Sequence, residues 1–290
     1  MPLHYKQGDL KLLEREAEEL RRAELVTAGI DGVRPPRVHR LAVQECMLVT
    51  EHVPRAESLF NHLWNRTGWC RWRSLHRCSA EDLGARLGKW LRAYHASTGF
   101  LAVDSREYLA RLADRTSCKL EHLQRRADCP VGLHTTRRIR SYVGQIIGPR
   151  LTFGSQYVAR IHGDFDLANI LVDPQGGLYI VDFADTREGL ALSDLVRLWH
   201  AVWAISELSQ RRRRALQPFL EALIDGYGNL EVKTDSPLFL ALRCWNALTL
   251  ILSASMFGTM LGFSGNRALR QLAAVNRTWL ESTDFSLKEC

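Results

Sequence analysis

Between Ile161 and Leu195 the chain reads IHGDFDLANILVDPQGGLYIVDFADTREGLALSDL, and Asp164, Asn169 and Asp182 within it have side chains able to do chemistry together. Ile170–Val172 and Leu178–Val181 are short β-type runs. The residues between them, Asp173-Pro174-Gln175-Gly176-Gly177, are turn formers. An antiparallel hairpin folded about the midpoint of that turn sets Ile170 opposite Val181 and Val172 opposite Tyr179. Asn169 then falls opposite Asp182 at the open end. Asp164 lies five residues before Asn169, on a loop able to fold back to the same end. Two carboxylates and an amide gathered there repel one another unless a cation sits among them. An amide oxygen and a carboxylate are hard ligands suited to Mg²⁺, which takes few protein groups and substrate phosphates besides. The remaining aspartate is left to orient a hydroxyl and accept its proton. That division of labour is what phosphoryl transfer requires.

The elements that must position these groups follow from periodicity and breakers. Leu10–Leu25 has apolar residues at helical spacing, and Gly29–Pro36 ends it. VHRLA and ECMLVTEHV, within Arg37–Val53, read as two strands stopped by Pro54. Helices are expected at Ala80–Ser97, Asp104–Arg126 and Thr136–Gly148. Strand character returns once, at Asn169–Phe183, and the chain is helical again from Ser193. Few strands, then a helical mass interrupted by one hairpin, is an α+β pattern and not alternating βαβ.

His162-Gly163-Asp164 with Asn169, followed by Asp182-Phe183, resembles the catalytic and metal loops of the protein-kinase-like superfamily. The HGD form and the NILVD continuation are most similar to aminoglycoside phosphotransferases and related small-molecule kinases. Six fixed residues coincide by chance at about 10⁻⁸ per starting position, so the spacing is informative. The resemblance implies a bilobal fold with a truncated small N-terminal β lobe (residues 1–53) and a large, mainly helical C-terminal lobe (residues 54–290). It implies Asp164 as catalytic base, Asn169 and Asp182 as magnesium ligands, and His162 and Asp194 as supports of the catalytic loop. Lys6 and Glu16 take the places of the lysine and helix glutamate that serve the nucleotide phosphates. The backbone of Glu51 to Val53 takes that of the linker that holds the adenine. ATP and Mg²⁺ are the implied cofactors. Two strands and a glycine-rich loop precede the lysine in that superfamily, whereas five residues precede Lys6 here. A misplaced start is the favoured explanation. The alternative is a nucleotide-binding pseudokinase or scaffold with little turnover.

Charge and composition narrow the acceptor. Of a formal net charge of +7, the block Phe100–Arg160 carries eleven basic residues against five acidic ones. Such a block repels a polycationic drug, so the acceptor is expected to be a neutral or anionic small molecule bearing a hydroxyl, such as a sugar. Arg66–Arg77 interleaves Trp69 and Trp72 with arginines, and Arg211–Arg214 reads as an exposed connection between helices. Neither is taken as a nucleic-acid site, although peripheral membrane contact stays open. Seven scattered cysteines without a CxxC pair point away from zinc and disulfides. With no apolar leader at the start, they point to the cytoplasm. Pro237–Phe263 is hydrophobic but contains Arg243 and Asn246, so a buried helix is expected there and no transmembrane segment. The sequence fixes no oligomeric state.

Overall fold

The computed structural model describes residues 3–67, 78–97, 101–102, 106–126, 130–146, 157–228, 232–257 and 263–285. Strand β1 (Leu3–Gln7) leads through Asp9, whose side chain caps the helix by accepting from Leu12 N, into α1 (Leu10–Val26). After β2 (Val33–Arg34) come β3 (Val38–Ala42) and β4 (Met47–Glu51). β1, β4 and β3 form an antiparallel sheet in that order, with Lys6 opposite Leu48. The buried face of α1, including Leu13, Ala17 and Leu20, packs on it.

Short β5 (Glu57–Ser58) and α2 (Leu59–Thr67) follow, then α3 (Ala80–Ala96), capped by Ser79. β6 (Leu101–Ala102), α4 (Arg106–Gln124) and α5 (Leu133–Ile146) lead to β7 (Tyr157–Ile161). The hairpin is β8 (Ile170–Val172) and β9 (Leu178–Ile180). β10 (Arg187–Leu190) runs directly into α6 (Ala191–Ser206), followed by α7 (Gln210–Tyr227), α8 (Pro237–Phe257) and α9 (Phe263–Ser282). Small sheets at the N-terminal side and a helical C-terminal part make the mixed, two-lobed architecture that the sequence implied.

Three sequence expectations need correcting. First, strand character does not return only once. β7 and β10 pair antiparallel, with Ile161 opposite Arg187, and β6 completes a separate sheet. β6, β7 and β10 are two, five and four residues long, so their alternation is too brief to register as a pattern. Second, the hairpin register is shifted by one residue. Asp173 and Gly177 are themselves a ladder pair, Asp173 N donating to Gly177 O at 2.9 Å. They close a three-residue loop in which Gly176 takes φ +87°. Asp173 Oδ1 accepts from Gln175 N and Gly177 N, each at 2.8 Å, and locks the turn. Ile170 therefore faces Ile180 and Val172 faces Leu178. Third, Arg211–Arg214 is not a connection but part of the N-terminal portion of α7. There Ser209 caps the helix and the Arg212 guanidinium lies 4.4 Å from the Trp64 ring centroid. Trp69 and Trp72 lie outside the described residues.

α8 is long and apolar enough to cross a membrane over Pro237–Met256, but half of that stretch is buried, with α4, α5, α6 and α9 packed around the helix. A core helix of a folded lobe accounts for its composition.

Candidate active site

The loop after β7 is held by one buried carboxylate. Because β7 and β10 are paired, the residue after β7, His162, lies beside the first turn of α6, where Asp194 sits. Asp194 is 1% exposed. Its Oδ2 accepts from His162 N at 2.7 Å and its Oδ1 from Gly163 N at 3.0 Å. His95 Nε2 meets the same carboxylate at 3.2 Å, and His95 Nδ1 bonds the Tyr227 hydroxyl at 2.7 Å. Burial alone would raise the Asp194 acid; the His95 hydrogen bond and the His162 N–H outweigh it and hold the carboxyl below its ordinary range. Gly163 takes φ +83°, and a Cβ there would lie 2.3 Å from Asp185 O, so the loop admits no side chain at this point.

His162 is fully buried between the rings of Phe165 and Phe183. Its Nε2 lies 3.1 Å from Val181 O, which can only accept, so that nitrogen carries the proton. Burial holds its pKa below the usual histidine value. A neutral, enclosed imidazole of this kind ties the HGD loop to the hairpin.

Asp164 and Asn169 are in direct contact. Asn169 Nδ2 donates to Asp164 O at 2.9 Å and to Asp164 Oδ2 at 2.8 Å, so the amide oxygen is the end left to face another ligand. Asp164 Oδ1 pairs with Arg197, whose Nε is 3.4 Å from Asp166 Oδ2. Asp182 is one residue beyond the ladder that Val181 N closes on Asn169 O at 3.0 Å. Its backbone is left-handed, with φ 64° and ψ 65°, an uncommon state for a residue other than glycine.

Lys6 bridges the lobes. Its ammonium lies 2.8 Å from Glu16 on α1 and 2.8 Å from Asp182 Oδ1. Burial pulls the lysine pKa down, but the hydrogen bonds to Asp182 and Glu16 exceed it and the net shift is upward. Glu16 is buried, while Lys6 and Asp182 are partly open to solvent. The half-exposed Asp182 carboxylate and the Asn169 amide oxygen are hard oxygen donors, and this donor set fits Mg²⁺.

The linker residues divide. Glu51 N donates to Arg37 O at 2.8 Å, so its N–H is spent in the chain itself. The Glu51 carboxylate takes the Arg34 guanidinium in a fork, both contacts 2.7 Å, and the Arg34 hydrogen bond holds that acid below its usual range. Arg34 lies 4.7 Å from the centroid of the Tyr179 ring, so this fork ties β4 to the hairpin. Val53 N makes no backbone hydrogen bond among the described residues. Sequence reasoning missed both Arg34 and Arg197. Arg197 stands three residues after Asp194 on one face of a helix, a spacing that could have found it. Arg34 left no such signal.

The basic excess of Phe100–Arg160 is partly internal. Arg160 pairs with Glu19, Arg138 bonds the carbonyls of Glu281 and Thr283, and Arg111 pairs with Glu107 along α4. Lys119 is the exception in kind. Its ammonium donates to Thr249 and lies 3.5 Å from the centroid of the Trp245 ring. Burial first, then the charges of Arg197 and Arg115, push it down to about 7.

A two-lobed fold with a lysine and glutamate on one side, and an HGD loop and an aspartate after a hairpin on the other, defines a kinase-like class. The model of the phosphotransferase enzyme family, APH, matches residues 10–236, and the chain belongs to that family. It is a phosphotransferase acting on small molecules with a nucleotide as donor. No curated protein matches the sequence. Among solved structures, a glucosamine kinase in complex with glucosamine, ADP and inorganic phosphate superposes with a TM-score of 0.62 at 16% identity, over 90% of this chain and 71% of that one. An aminoglycoside 2'-phosphotransferase-IIIa in its GDP complex gives 0.57 at 12%, over 95% and 86%. A choline/ethanolamine kinase family protein from Mesorhizobium loti gives 0.54 at 17%, over 97% and 82%. At these identities the likeness carries the fold.

Proposed function

We propose that the chain transfers the γ-phosphoryl group of Mg-ATP to a hydroxyl of a small, sugar-like acceptor that is neutral or anionic. The observation that carries this reading is Lys6, which joins Glu16 to Asp182 across three separate elements. A lysine shared by two carboxylates is a cation ready to exchange one of them for a phosphate oxygen.

In this reading Lys6, positioned by Glu16, holds the nucleotide phosphates, and the linker around Glu51 and Val53 holds the base. With the Glu51 N–H spent on Arg37, the N–H groups of His52 and Val53 are the donors left for it. Asn169 and Asp182 would hold magnesium, which when bound neutralises charge on the phosphates. Asp164 orients the acceptor hydroxyl and takes its proton. Asp194 and His162 do not touch the acceptor; they fix the backbone that presents Asp164. Support for a small acceptor comes from the glucosamine kinase likeness, whose ligand is a single sugar. The basic block from Phe100 to Arg160 supports an acceptor that is not polycationic.

The test is radiolabel transfer from ATP to a set of neutral and anionic sugars, with kanamycin alongside. Magnesium-dependent labelling of a sugar is expected. Efficient labelling of kanamycin would contradict the acceptor class, and no magnesium-dependent ATP binding would contradict the enzyme.

A further inference from the structure

A cavity of about 240 Å³ lies between α2, α6, α8, α9 and the catalytic loop. Its lining includes Phe60, Asp166, Arg197, His200, Asn246 and Thr249. Arg197 is shared with Asp164, so the cavity adjoins the proposed base. Sites for drug-sized ligands run from about 300 Å³ upward, so this one suits a single ring or less.

The polar groups around it are incomplete in a specific way. His200 is 1% exposed. Its Nε2 lies 2.7 Å from Asn276 Oδ1, and Asn276 Nδ2 donates to Leu272 O at 2.8 Å. A carbonyl can only accept, which fixes the Asn276 amide, and Asn276 Oδ1 can then only accept from His200 Nε2. Nδ1 of His200 is therefore a bare lone pair, buried and without a hydrogen-bond partner. Burial and the charge of Arg243 hold His200 down to about 3, so it is neutral at ordinary pH. On α8, Asn246 also lines the cavity, and its Nδ2 is spent on Leu242 O at 2.9 Å, which leaves its oxygen as a second acceptor. Arg197 Nε, also buried, has only its 3.4 Å ion pair with Asp166 Oδ2.

Two lone pairs and the Asp166 carboxylate disfavour an anion. Arg197, with Lys119 held against Thr249, disfavours a cation. What satisfies both sets is a ligand rich in hydroxyls and without net charge. Resting on the phosphotransferase reading above, we infer that this cavity takes a neutral polyol of monosaccharide size, and that His200 selects it by accepting a hydroxyl hydrogen bond at Nδ1.

The test is calorimetric titration of the full chain, without nucleotide, using glycerol, myo-inositol, glucose, glucosamine and glucuronate. At least one neutral polyol should bind more tightly than either charged sugar, and His200→Phe should weaken it by roughly tenfold. His200 is a core residue, so Asn246→Leu, on α8, is run beside it with a similar loss expected. The inference is overturned if no neutral polyol binds better than about 10 mM. Tighter binding of glucosamine or glucuronate, or unchanged affinity in Asn246→Leu, would overturn it equally. Binding needs no turnover, so polyol binding without ADP release would sink the phosphotransferase mechanism alone. ADP release with an acceptor that ignores both substitutions would sink the pocket assignment alone.

Discussion

The catalytic loop and the cavity behind it share Arg197 but are built on different terms. The loop from His162 to Asp182 is held by main-chain bonds to one buried carboxylate and by contacts within some twenty residues of sequence. The cavity is assembled from four helices that meet only after folding, and its polar groups are left partly unsatisfied. Local, fully bonded geometry suits chemistry common to every acceptor. A wall of long-range contacts suits what differs from one acceptor to the next, because helices can exchange side chains there without disturbing the loop.

Ranked by expected effect, three substitutions or conditions probe that contrast. Asp194→Ala removes the partner of His95 and of two buried N–H groups at once. It should cost about 3–5 kcal/mol in denaturant unfolding and abolish transfer. A loss below about 1 kcal/mol would mean that the loop is held by something else. Next, acid should loosen the cavity wall. An unfolded histidine takes up its proton near 6.5, while folded His200 does so only near 3. The unfolded state therefore binds more protons in that window, and stability falls as pH drops from 6.5. The loss from this residue should be on the order of 3 kcal/mol by pH 4, measured by melting, and His200→Phe should flatten the slope. A slope unchanged in that variant would place the acid sensitivity elsewhere. The smallest effect on stability is expected for Lys6→Met, about 1–2 kcal/mol, because its pair with Asp182 is partly solvated while buried Glu16 loses its cation. The same change should weaken nucleotide binding by about tenfold or more. Together these would separate residues that hold the fold from those that hold ligands.

The division also explains what the sequence disclosed. Turn formers, helix breakers and apolar periodicity are local signals, and they placed α1, α3 and the hairpin within a few residues. The hairpin register failed by one because Asp173 looks like a turn residue yet belongs to the ladder. The contact of Asp164 with Asn169 was legible because it depends on a short spacing. Arg34, which meets Glu51 between two separate sheets, and His200, which meets Asn276 from another helix, were not. Their partners are 17 and 76 residues away and follow from tertiary packing alone.

The most direct test of the central claim compares Asp164→Asn with Asp182→Asn, measuring Mg-ATP affinity and transfer rate in each. Asp164→Asn should cut transfer by about 10²–10⁴-fold with affinity nearly unchanged, whereas Asp182→Asn should weaken Mg-ATP binding itself. Equal loss of affinity in both, or transfer retained in Asp164→Asn, would contradict the assigned division between proton acceptor and metal ligand.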